Sequence, residues 1–219
     1  MYYQSREAAG QLLASQMYRK YRHEPCAVLA LNDGGVIVGL QLALKLRCPI
    51  TMLITRDITL PMERQALAGI SHDGAFSYNR ALSSGEIEEM VMEQHNFIEQ
   101  EKMRRLNEMH RQSGNGLLIK RELLDDHHVI IISDGLFDTF SIDLAMEYLK
   151  PIRTKSIVMA TPFASVTAVD RMHVLADDLY CANVLTDYFD IDHYYDQPAV
   201  PAHEAIIAAV EKIVAYWQQ

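Results

Sequence analysis

The chain has 219 residues, 49% of them hydrophobic, with a formal net charge of −9. A pI of about 5.4 argues against a general nucleic-acid or anionic-membrane binder, since both need basic surface. No apolar run approaches the ~20 residues of a membrane span. Residues 1–7 lack a basic stretch leading into an apolar one, so no secretory signal is expected and the chain reads as soluble and cytoplasmic. Cys26, Cys48 and Cys181 are far apart, without ligand spacing. They read as small buried hydrophobes in a reducing compartment.

In chain order, residues 3–21 form an amphipathic helix with Ala9, Leu12, Leu13 and Met17 on one face. The apolar run 26–31 is a strand covered on both sides, as in a parallel sheet. Asn32-Asp33-Gly34-Gly35 reads as a tight turn, 36–46 as a helix and 50–54 as a strand. Residues 57–82 are irregular, with short strands around 66–70 and Phe76. A long polar helix over 85–111 carries Met90, Met92, Met103 and Met109, a core or dimer surface, and Ser113-Gly114-Asn115-Gly116 stops it. Strand and helix then alternate: 129–132, 142–149, 156–160, 166–175, 178–182 and a closing helix over 201–217. Such alternation implies a parallel α/β sheet with right-handed crossovers. One domain over 1–219 is expected, with 57–122 as an inserted hood or flap.

The densest signal is His128-Val129-Ile130-Ile131-Ile132-Ser133-Asp134-Gly135 followed by Leu136-Phe137-Asp138-Thr139-Phe140-Ser141. A strand ends in a hydroxyl, an acid and a glycine, and a short turn opens a helix, which is where open α/β sheets bind ligands. This segment resembles the phosphoribosyl-diphosphate (PRPP) signature of type I phosphoribosyltransferases. Collinear fragments extend the likeness: 5–14 resembles the opening helix of a bacterial branch of that family, and 31–38 stands at its pyrophosphate loop. Residues 68–74, 101–111, 159–164 and 176–178 are similar to later stretches.

The resemblance implies a type I phosphoribosyltransferase-like open, mainly parallel sheet with a helical hood. It also implies transfer of ribose 5-phosphate from PRPP to a nitrogenous acceptor with Mg²⁺. On that reading Asp134 is the catalytic acid and, with Ser133 and Gly135, holds the ribose. Asp138, Thr139, Phe140 and Ser141 surround the 5-phosphate, and Asp33, Gly34 and Gly35 the pyrophosphate, with Arg56 near a substrate phosphate.

Three departures alter that expectation. Ser133 stands where the first signature acid belongs. Asp138 puts a carboxylate at the phosphate position, where it can instead cap the following helix. Asp33 replaces a basic residue in the pyrophosphate loop. Two functions therefore compete: a binding, regulatory or assembly subunit in which classical PRPP transfer is lost or strongly altered, or an active divergent transferase or related hydrolase. A phosphorylated ribose ligand and a homodimer are expected partners; nucleic acid and membrane are not.

Other patterns read as structural. Asp134-Gly135-Leu136-Phe137-Asp138 is superficially like a haloacid-dehalogenase motif, but Ile132 occupies the position of the nucleophilic aspartate. Asp125-Asp126-His127-His128 is a solvated turn whose side chains diverge. The acidic, aromatic stretch 187–196 packs a sheet edge, Arg56 and Arg64 flank the flap in surface ion pairs, and His72 with Asp73 form a turn.

Overall fold

The structure is a computed structural model that describes residues 2–61, 63, 65–112 and 121–217. Arg64 and the breaker 113–116 lie outside the described residues.

In chain order the elements are α1 (Arg6–Tyr21), β1 (Cys26–Ala30), α2 (Asp33–Leu46), β2 (Ile50–Met52), β3 (Thr55–Ile58), β4 (Ala68–Ser71), β5 (Phe76–Tyr78) and α3 (Ser84–Gln112). There follow β6 (His128–Ile132), α4 (Phe140–Leu149), β7 (Ser156–Ser165), α5 (Val166–Leu175), β8 (Asp178–Leu185) and α6 (His203–Trp217).

The main sheet runs β2-β1-β6-β7-β8 with every pairing parallel. Strand side chains alternate between two cores, because successive residues of a strand face opposite ways. Val28, Ala30, Ile130, Ile132, Val158 and Ala160 pack with α1, α2 and α6 residues. Ala27, Leu29, Val129, Ile131 and Met159 pack with α4 and α5 residues. Apolar residues at every strand position are what two covered faces require, and this is why runs such as Cys26–Ala30 could be recognised.

β3, β4 and β5 form a separate antiparallel sheet, against which α3 packs. Ile98 and Met109 of α3 are buried, whereas Met92 and Met103 are exposed, so the methionines divide between core and surface. β3 is an element that the sequence reading missed: its Thr55-Arg56-Asp57-Ile58 lacks an apolar run and pairs with β4 instead. On α1, Leu12 was expected on the buried face; it is 40% exposed, and Gly10 and Ala14 take its place beside α2.

The expected tight turn at 32–35 is the first turn of α2. Asn32 is extended and caps it, its side chain accepting from Gly35 N–H. β1 and β6 are neighbours from which the chain departs in opposite directions, through α2 to β2 and through α4 to β7. The loops after them therefore meet at the switch point of the sheet, the usual ligand crevice of such folds.

Candidate functional site

At that switch point Asp134 is 2% exposed and both of its carboxylate oxygens are engaged. Arg6 Nε donates to Oδ2 at 2.7 Å and Asn32 Nδ2 to Oδ1 at 2.8 Å. The Tyr195 hydroxyl donates to the Asp134 carbonyl at 2.7 Å. Arg6 is itself buried; it also donates to Asp192 Oδ1 at 2.6 Å and to the Pro198 carbonyl at 2.5 Å. Its guanidinium lies 4.6 Å from the Tyr195 ring centre. Burial opposes the Arg6 charge, but the bonds to Asp192 and Asp134 outweigh that and hold it above its ordinary value.

Gly34 touches the same pair. A Cβ there would lie 1.9 Å from Asp134 Oδ2, so a glycine is needed for α2 to approach β6 this closely.

The rest of the signature loop folds back on itself. Ser133 is buried and its hydroxyl donates to the Gly135 carbonyl at 2.9 Å. Leu136 N–H donates to the Phe163 carbonyl, and Ser165 N–H to the Leu136 carbonyl, so the loop is pinned along β7. Asp138 Oδ1 accepts from Phe140 N–H at 2.9 Å and from Ser141 N–H at 3.2 Å. Those amides form the N-terminus of α4, where an anion is favoured by unpaired N–H groups and the helix dipole. Thr139 has helical backbone angles and no side-chain cap bond, and the Phe140 ring reaches back to Gly69 of β4.

Asp33 has a partner from the far end of the chain. Its carboxylate meets His203 at the start of α6, with Oδ1 2.7 Å from Nδ1. The cap position of α2 is held by Asn32. Arg56 lies on β3, donates to the Thr55 carbonyl, and lines the same cleft as Asp33 and His203.

A crevice of about 390 Å³ remains at the switch point, lined in part by Ser133, Gly135, Asp138, Ser141 and Tyr188. Tyr188 stacks on Phe137 with ring centres 3.6 Å apart. Of the 187–196 stretch, Tyr194 and Tyr195 are buried, with ring centres 4.9 and 5.4 Å from that of Phe163 on the inner strand β7, whereas Phe189 is exposed and Asp192 pairs with Arg6.

Arg6, Asn32, Tyr195 and His203 were not singled out from the sequence. Arg6 and Tyr195 are 189 positions apart and meet only through the fold; Asn32 alone gave a local sign, as a side-chain cap ahead of two glycines.

The remaining clusters are structural. His127 and His128 diverge, one to the Asp125 carbonyl and the other to Ser156, and Asp126 pairs with Arg153. Among the described residues no group of three or more His, Cys, Asp or Glu could hold a metal ion. Asp73 pairs with Arg121 at 2.7 Å, and His72 packs on Tyr148. Burial pushes the Cys26 thiol up to about 11, and Cys48 also rises, as inert buried thiols do.

The family model of the phosphoribosyl transferase domain matches residues 2–198. The chain belongs to that family. The Mycobacterium tuberculosis protein Rv0571c (strain ATCC 25618 / H37Rv), whose name assigns it provisionally to the phosphoribosyl transferases, is 21% identical over 212 residues, covering 96% of this chain and 46% of the relative. The chain thus spans about half the length of the curated relatives it matches. Protein TT1426 of Thermus thermophilus shares the fold, at TM-score 0.67 and 22% identity, with 99% of each chain covered. A purine phosphoribosyltransferase from Pyrococcus horikoshii superposes at TM-score 0.48 and 13% identity over 89% of this chain and 90% of its own. The open parallel sheet with flanking helices is that of type I phosphoribosyltransferases. Among the described residues no helix is long and apolar enough to cross a membrane.

Proposed function

We propose that this phosphoribosyltransferase-family protein has lost classical PRPP-dependent transfer and works as a binding or regulatory subunit. The observation that carries this reading is Asp138, whose carboxylate already sits on the two amides that open α4. A phosphate arriving there meets a like charge at ~4 Å, a repulsion of about 4 kcal/mol at intermediate dielectric. That is roughly a thousandfold in affinity.

Asp134 supports the same reading. A carboxylate that accepts ribose hydroxyls or steadies a developing sugar cation must be reachable by the sugar, and here Asp134 is 2% exposed, with its two oxygens already accepting from Arg6 and Asn32. The residues present also do not fit a magnesium diphosphate clamp. Ser133 supplies no charge, Asp134 is paired internally, and Asp33 faces His203.

What such a subunit would retain is the crevice beside Tyr188, open to a sugar or ring with weak or no phosphate recognition. The expected homodimer would draw on the exposed Met92 and Met103 of α3. A second reading, active divergent transfer, is favoured by that surviving crevice of about 390 Å³.

Calorimetry with PRPP and Mg²⁺ decides between them. Binding in the millimolar range or weaker by the wild type, strengthened at least ~tenfold in Asp138→Thr, supports loss. Micromolar binding by the wild type, with pyrophosphate released on adding a base, supports activity.

A further inference from the structure

The end of the sheet away from the crevice carries a charge pattern of its own. The chain has 29 Asp and Glu against 20 Lys and Arg, yet residues 8–23 and 34–48 contain no acid and supply Arg19, Lys20, Arg22, Lys45 and Arg47. α1 and α2 lie side by side and run the same way: Gly10 meets Val38 and Gln41, and Tyr18 meets Lys45. These cations therefore gather where the two helices end, beside the starts of β1 and β2.

Helix dipoles favour cations in the last turns, and Asp178 pairs with Lys20. What sets this end apart is the missing counter-charge. On α3, Lys102, Arg104 and Arg105 each pair with a glutamate three or four places away. The places four before Arg19 and Lys45 hold Ser15 and Gln41. Among the described residues Arg19, Arg22, Lys45 and Arg47 are exposed and meet no carboxylate. Arg22 and Lys45 instead both lie over the Tyr18 ring, 5.9 and 5.1 Å from its centre. Glu24, two places after Arg22, faces His128.

A groove of about 400 Å³ between α1 and α2 leads into this cluster. Ala14 and Leu44 give it apolar surface, Leu44 being 51% exposed, and Lys45 joins it to the cations. Gln11 Nε2 donates to Gln41 Oε1 at 3.5 Å, which leaves the Gln41 amide hydrogens and the Gln11 side-chain carbonyl for another backbone. Apolar surface, amide walls and cations at one end match a short segment of chain with apolar side chains beside carboxylates.

We propose that the α1–α2 groove docks an acidic segment of another protein, with its apolar side chains on Ala14 and Leu44 and its carboxylates on Arg22, Lys45 and Arg47. A long polyanion fits less well. The chain carries a net charge of −9, so a polyanion that extends past the patch meets repulsion within the Debye length of ~10 Å. The groove goes beyond the loss of PRPP transfer and does not rest on it, since it shares no residue with the signature crevice.

The probe is a labelled peptide of two leucines followed by four glutamates, and its control has lysines in place of the glutamates. Both are titrated into the full chain by fluorescence anisotropy, at low and at physiological salt. The glutamate peptide is expected to bind at least about tenfold tighter than the control and to weaken as salt rises. It should shift the backbone amides of Ser15, Leu44 and Lys45 and leave those of Phe140 and Ser141 still. Arg22→Glu with Lys45→Glu should lose about tenfold in affinity. Equal binding of the two peptides, or shifts confined to other surfaces, would overturn the proposal. So would a thymidine hexanucleotide that binds as tightly as the glutamate peptide, because the cluster would then be a nucleic-acid contact. Self-association that the same double variant abolishes would also overturn it, by assigning the groove to a second copy. If the double variant fails to fold, the wild-type shifts decide. A wild type that binds PRPP tightly would sink the loss of transfer and leave this result standing.

Discussion

Asp134 shows how one residue can keep a family position and change its task. In the signature it follows an apolar strand and precedes a glycine, as a ribose-binding acid does. In the fold it is one end of a buried ion pair with Arg6, closed by Asn32 and roofed by Tyr195. Removing one partner of such a pair leaves the other charge buried, so Asp134→Ala should cost about 3 kcal/mol or more, read as a lower urea midpoint with an unchanged slope. A residue held open for substrate predicts the reverse, an unchanged or improved midpoint. The sequence disclosed this acid, its Ser133 neighbour and the helix-capping chemistry of Asp138. It could not disclose that Arg6 reaches Asp134, because a pairing across 128 positions leaves no local periodicity.

At the scale of elements, the buried parallel strands were readable because both faces demand apolar residues at each step, as Val129-Ile130-Ile131-Ile132 shows. β3 was not, since Thr55-Arg56-Asp57 has no such pattern and takes its conformation from β4. His72, the residue after β4, is 7% exposed and packed on Tyr148 of α4. Burial lowers the His72 pKa from its ordinary 6.5, against the opposing pull of Asp73. Because the folded value lies below the unfolded one, the stability tied to neutral His72 is fully present above pH 6.5 and is lost as pH falls from there through the folded value. Stability to urea should therefore fall as pH drops below 6.5, and His72→Gln should flatten that part of the profile. An unchanged profile in the variant would show that His72 does not gate the attachment of this sheet to α4.

Across the whole molecule, the architecture and the place of the crevice follow from alternating strands and helices, whereas the chemistry of the crevice does not. The strand order puts the loops after β1 and β6 side by side, as in any fold of this kind. Which groups then fill the crevice depends on α1, α6 and the stretch 187–198, whose residues meet the site only after the sheet has closed. Belonging to the family thus settles the scaffold, and the function is carried by a few side-chain oxygens placed on it. The most direct measurement of that placement is the backbone amide resonances of Phe140 and Ser141 during a PRPP and Mg²⁺ titration, in wild type and in Asp138→Ala. The account predicts that both stay unmoved at micromolar ligand in the wild type and shift in the variant. Saturating shifts in the wild type at micromolar PRPP would contradict it.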